Sequence, residues 1–276
     1  MMARFYGYIE DVFEFRRLTA VLTDSRPEPV IPTAAIFGTA FAMFATGRGS
    51  LNGIDKQRHF PGRLRNFVGP RVPSGDSVGR VYAQLDSASL REVLRDVHLR
   101  IKRNKVLHGG GDWIFAAVDG HEFFRQPQTL LRRVPHTEET EQRRERIAGQ
   151  WKNTEQTSTW YWATTFSRRQ LSTRSFWRAG HWRWDIENGC FNATSTHWGL
   201  DHVFKHEPTA IVNFVLTLFL AFVLLQCFWQ RNLKPPFRDR FTLIGLAAEL
   251  YAGLVVAGVP RRPWSGSVAS LTRQES

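Results

Sequence analysis

Apolar residues recur at helical spacing through the first hundred positions. They predict a first helix over roughly Ile9 to Leu22, closed by Pro27, Pro29 and Pro32. A compact apolar run from Ala34 to Ala45 follows, and the glycines between Gly47 and Gly53 interrupt it. Pro73-Ser74-Gly75-Asp76-Ser77 is a turn and N-cap cluster, after which Val78, Val81, Tyr82 and Leu85 return at helical intervals. From about Ser87 to Lys105, Leu90, Leu94, Val97 and Ile101 share one face of an amphipathic helix whose other positions are rich in Arg and Lys. Gly109-Gly110-Gly111 reads as a joint and a domain boundary. The short apolar run Trp113 to Val118 after it fits a buried strand, ending at Asp119-Gly120.

Beyond Phe123 the pattern turns polar. As far as Gln156 it predicts an exposed helix or loop with no apolar period, and Trp160 to Thr165 then has the aromatic and β-branched content of a strand. Thr173 to Gly180 leads into a further helix. Ala210 to Trp229 is twenty residues without a charge, a length that suits either a bilayer span or a central helix enclosed by protein. Asn213, Thr217 and Gln226 interrupt it. Pro235-Pro236 ends that run, Thr242 to Val259 predicts one more apolar helix, and the Pro-, Ser- and Arg-rich tail from residue 260 reads as disordered. The patterning divides the chain into a helical domain over 1–108, an α/β domain over 112–259 and a tail over 260–276, in an α/β class that is mostly helical overall.

Charge sharpens this picture. A formal net charge of +12 and a pI near 10.5 point to a polyanionic partner, because such a field attracts phosphate backbones. On the Ser87–Lys105 helix, Arg95, Arg103 and Lys105 are candidate contacts to DNA phosphates. Two cysteines, Cys190 and Cys227, are too few for a disulfide framework and suit a reducing cytoplasm. The stretch MMARFYGYIEDVFEF carries charges where a signal peptide would be apolar.

Chemistry concentrates between His181 and His206. Arg183 and Glu187 stand four apart, so a helix sets them on one face with Phe191. A carboxylate held there is either a structural ion-pair partner of Arg183 or a functional group. His197, His202 and His206 cluster near Asp201, but without the paired spacing of a zinc finger. Cys190 has no histidine and acid placed to activate it, and reads as core.

The string R-W-x-I-E-N-x-x-F-N at 183–192, followed by W-G-L-D-H-x-F-x-H at 198–206, resembles the C-terminal signature of DDE transposases of insertion sequences, family-four type. That subgroup marks its catalytic glutamate with a tyrosine–arginine–glutamate–lysine pattern. The segments Ser50 to Asp55 and Pro73 to Val81 are similar to the helical region that precedes the catalytic domain in that family. V-D-G-H-E at 118–122 is similar to its first catalytic aspartate. The resemblance implies an RNase H-like core, with Asp119 and Glu187 as catalytic ligands of Mg²⁺ or Mn²⁺. It further implies that Arg183 steadies Glu187 or contacts DNA. The partners implied are double-stranded DNA at transposon ends, together with a second subunit or an intact transposase.

Two-metal phosphoryl transfer needs three carboxylates to clamp cations about 4 Å apart. Here 68 residues separate Asp119 from Glu187, and the one aspartate between them, Asp185, lies two residues before Glu187 and faces away. The glutamates at 138, 139, 141, 145 and 155 follow no apolar strand. The spacing reads as an internal deletion that removed the second aspartate and its strand. Gly180 and Thr194 also occupy positions where the signature wants tyrosine and lysine. The expectation is a degenerate transposase-like protein. The alternatives are a DNA-binding or subunit-pairing remnant without catalysis, and a single-pass membrane protein spanning about 210–229.

Overall fold

The computed structural model describes residues 1–58, 64–104, 136–147, 150–161 and 166–255, and gives 54, 57, 58, 66, 143, 145, 147 and 183–188 by backbone only. In chain order the helices begin with α1 (Met2–Phe13), α2 (Phe15–Thr19), α3 (Thr33–Ala45), α4 (Leu51–Arg58), α5 (Arg65–Val68), α6 (Gly75–Tyr82) and α7 (Ser87–Arg103). Two strands follow, β1 (His136–Ile147) and β2 (Gln150–Tyr161). The remaining helices are α8 (Thr173–Asp185), a π-helical segment (Ile186–Phe191), α9 (Asn192–Trp198), α10 (Pro208–Arg231), α11 (Pro235–Arg238) and α12 (Leu243–Val255). The architecture is therefore mostly helical with one small antiparallel sheet. The strand expected at Trp113–Val118, and with it Asp119 and Lys105, lies outside the described residues, as does the tail.

Contacts group the chain into two compact units. One joins Met1–Leu107 to Ala193–Ser276, and the other is His108–Asn192. The single cut expected near Gly109 would have put α10 and α12 with the second half, whereas they pack on the N-terminal helices.

In the first unit, α10 is the central helix, packed against α3, α7, α1, α6 and α12. By length and composition it could cross a membrane. Its polar residues show how it is held here. Asn213 is fully buried, and its Nδ2 donates to the carbonyl of Tyr82 (3.0 Å), the last residue of α6, and to that of Leu85 (2.9 Å) just beyond it. Thr217 spends its hydroxyl proton on the Asn213 carbonyl at 2.8 Å, so the Tyr82 hydroxyl donates to Thr217 at 3.0 Å. The Tyr82 ring stacks on Phe214 with centroids 4.3 Å apart. At the other end of α10, the Arg4 guanidinium donates to the Asn232 carbonyl (2.7 Å) and side chain (2.9 Å). Around this axis Phe5, Phe15, Phe41 and Phe228 form an aromatic core, with Phe15 and Phe41 centroids 4.6 Å apart.

The first helix differs from its expected span. It starts at Met2 and stops at Phe13, because Glu14 adopts a left-handed conformation (φ 50°) and restarts the chain as α2. The Glu14 carboxylate takes Arg100 of α7 at 3.2 Å and also pairs with Arg17. That link turns a helix break into a tie between α1 and α7.

Candidate functional site

Residues 50–55 and 73–81, both singled out in the sequence, meet in α4 and α6. Ser74 caps α6 by accepting from the Ser77 amide at 3.2 Å, and Asp55 reaches across to accept from the Gly75 amide at 3.0 Å. Gly75 has to be glycine, since a Cβ there would lie 2.5 Å from the Leu51 carbonyl oxygen. Next along the chain, Asp86 caps α7 through the Ala88 and Ser89 amides, both at 3.0 Å. Of the basic residues on α7, Arg95 is exposed and paired with Glu92 one turn away. Arg103 is exposed in the last turn, where a cation complements the helix dipole. Both side chains are open to solvent, as a phosphate contact requires.

The second unit carries the glutamate segment. Ser172 opens α8 by accepting from the Ser175 amide at 3.1 Å. At Ile186 the backbone changes from α to π, so Glu187 and Asn188 sit in a wider turn closed by i→i+5 hydrogen bonds. The expected four-residue register linking Arg183, Glu187 and Phe191 assumed a continuous α-helix, and the π turn interrupts it. Cys190 lies half-buried in the same turn, and burial pushes its thiol above the ordinary range, away from the nucleophilic thiolate.

The described part of the polar run before it, from His136 on, is neither helix nor loop. Residues 136–147 and 150–161 form a hairpin paired from His136↔Tyr161 to Ile147↔Gln150. Cross-strand partners supply what apolar periodicity does not: Thr140 and Thr157 join hydroxyls at 3.2 Å, and the Arg144 guanidinium lies 5.6 Å from the Trp151 ring centroid.

This hairpin brings Glu139 to α8, a meeting that sequence reasoning missed. Glu139 Oε1 accepts from Trp177 Nε1 at 2.6 Å, bonds His181 Nε2 at 2.8 Å and accepts from the Thr137 hydroxyl at 3.3 Å. Burial alone would push this carboxyl up, but the donations from Trp177 and His181 outweigh it and hold it below the usual range. Trp177 and His181 are one helical turn apart on α8, their ring centroids 4.6 Å apart. The arrangement is a clamp: it fixes the strand to the helix that runs into Glu187. No signal announced it beforehand, since residues 136–142 are polar at odd and even positions alike.

After the π turn, W-G-L-D-H proves to be packing. Trp198 is buried with its ring 5.1 Å from Phe222, Gly199 turns the chain at φ 71°, and the His202 amide closes the turn on the Gly199 carbonyl at 3.1 Å. A Cβ on Gly49 would come within 2.9 Å of the Trp198 carbonyl. Thr194, where the signature wants lysine, is fully buried, a position that would penalise an ammonium group. His197, His202, His206 and Asp201 do not converge, and among the described residues no three His, Cys, Asp or Glu side chains form a group able to hold a metal.

The chain matches no protein-family model, and neither a curated protein nor a solved structure resembles it at a significant level.

Proposed function

We propose that this chain is a transposase-like DNA-binding protein of degenerate catalytic capacity, with a truncated RNase H-like segment following its N-terminal helices. The observation that carries the reading is the ordered match of residues 183–192 and 198–206 to the glutamate signature of DDE transposases. The net charge of +12 and the exposed Arg95 and Arg103 on α7 fit a duplex partner.

The chemistry of that family sets a three-carboxylate requirement, and the sequence matches two of the three acids, Asp119 and Glu187. Glu139 has one oxygen committed to Trp177, His181 and Thr137. No metal-dependent step is therefore derived for this chain. Its role in this reading is binding: Arg95, Arg103, Lys105 and Arg183 contact phosphate, and the complex occupies DNA without efficient cleavage.

Anisotropy with a labelled duplex tests this across a salt series, with Mg²⁺ or Mn²⁺ nicking of supercoiled plasmid run in parallel. The expected result is binding whose affinity falls as a power of salt concentration, and nicking no faster than that of Glu187→Ala. Absence of binding at low salt would sink the nucleic-acid reading. Nicking that Glu187→Ala abolishes would show the site to be catalytically intact.

A further inference from the structure

The hairpin separates its charges by position. β1 carries Glu138, Glu139 and Glu141 in its first half and Arg143, Arg144 and Arg146 in its second, with Glu145 as the exception. The face formed by alternate residues from His136 to Arg146 is exposed throughout, while Glu139 on the other face is held by the clamp to α8. Among the described residues β1 pairs with β2 alone, so its outer edge presents main-chain donors and acceptors to an extended strand.

A strand with one acidic and one basic half is complementary to itself in the antiparallel sense and repels itself in the parallel sense. Directly opposed residues in an antiparallel pair lie on the same face, so only positions of equal parity meet. With the pairing centred on Glu141, Glu138 of one copy opposes Arg144 of the other; centred on Gln142, it opposes Arg146. On the even-numbered face neither register sets like charges against each other, and the two-fold axis doubles each favourable contact. On the odd-numbered positions the first register opposes Glu139 to Arg143 and Glu141 to itself, and the second opposes Glu141 to Arg143 and Glu139 to Glu145. β2 lacks this property, because its charged residues Lys152 and Glu155 differ in parity and cannot face each other directly. Pairing of β1 with β2 of a neighbour would be head-to-tail and would not close.

We propose that β1 pairs antiparallel with β1 of a second copy of this chain, joining two hairpins into a four-stranded sheet across a two-fold axis. Sedimentation equilibrium without DNA tests it. Glu138→Arg places like charges opposite one another in both registers, and so does the double variant Arg144→Glu/Arg146→Glu. The triple variant combining them restores complementarity with the signs exchanged. Each breaking set is expected to raise the dimer dissociation constant about tenfold, and the triple variant to return it to within about threefold of wild type. Higher salt should weaken the wild-type dimer, because these charges are exposed. Circular dichroism checks that every variant keeps its fold.

Amide exchange of the wild type needs no substitution: protection along β1 that rises with protein concentration supports the pairing. A wild type that stays monomeric, a dimer indifferent to Glu138→Arg, or β1 protection that ignores concentration would overturn it. No DNA enters these measurements, so their failure leaves the nucleic-acid reading standing, and the reverse holds too.

Discussion

Asp24 accepts a bidentate pair of hydrogen bonds from the Arg26 guanidinium at 2.8 Å each, a third from the Arg26 amide at 3.0 Å and a fourth from the Thr33 hydroxyl at 2.6 Å. Its side chain is 1% exposed. The Arg26 fork, joined by Thr33, outweighs burial and holds the carboxyl at about 2, below its ordinary value. The sign follows directly. A carboxyl depressed on folding stabilises the protein above its unfolded value, and that contribution is lost as pH falls from about 4 towards 2. Asp24→Asn is expected to cost about 1–2 kcal/mol at neutral pH and to flatten the acid limb of a urea-unfolding series over that window. A variant with an unchanged acid limb would show that other carboxylates govern it. Asn213 is the second residue of this kind, and its effect does not depend on pH. Asn213→Ala removes both donors and leaves the Tyr82 and Leu85 carbonyls buried and unpaired, for an expected loss of about 2–3 kcal/mol in the same unfolding measurement.

Among the elements, α4 and α6 approach until only hydrogen fits at Gly75. Gly75→Ala must push the helices apart or distort the Leu51 carbonyl, and is expected to cost about 1–3 kcal/mol in thermal unfolding, whereas Gly53→Ala on the open side of α4 should cost less. How well each element could be read in advance follows from what encodes it. α7 was legible because its apolar residues repeat at helical spacing and bury that face, and α3, α10 and α12 because each is an apolar run long enough to be a buried helix. The break at Glu14 was not, because the left-handed turn there and the partner its carboxylate meets, Arg100 on a helix far along the chain, leave no mark in the local apolar pattern. The hairpin was missed for a related reason. Its stability comes from hydroxyl, charge and cation–aromatic pairs across strands, and those exist only once the register does. Glu139 illustrates the effect on the site: as one acid in a polar run it looked generic, and three donors from a neighbouring strand position and a distant helix give it a specific place.

For the whole molecule, legibility ran out at connectivity. The apolar helices α3, α7, α10 and α12 of the first unit could be seen in the sequence, but nothing in their periods says that α10 belongs with α1 and α3 across 108–192. The information sits in single polar residues: Asn213 and Thr217 look like blemishes in an apolar run until Tyr82 and Leu85 supply their partners. The interrupted first unit has a consequence for biosynthesis. On the ribosome, α1 to α7 emerge with Phe5, Phe37 and Phe41 still lacking their central helix, and about a hundred further residues must be polymerised before α10 appears. At ordinary elongation speeds that is a delay of roughly 5–20 seconds, during which the nascent chain presents sticky aromatic surface to chaperones and to its neighbours on the polysome. The first unit can close its core only when α10 has followed α1 to α7 out of the ribosome.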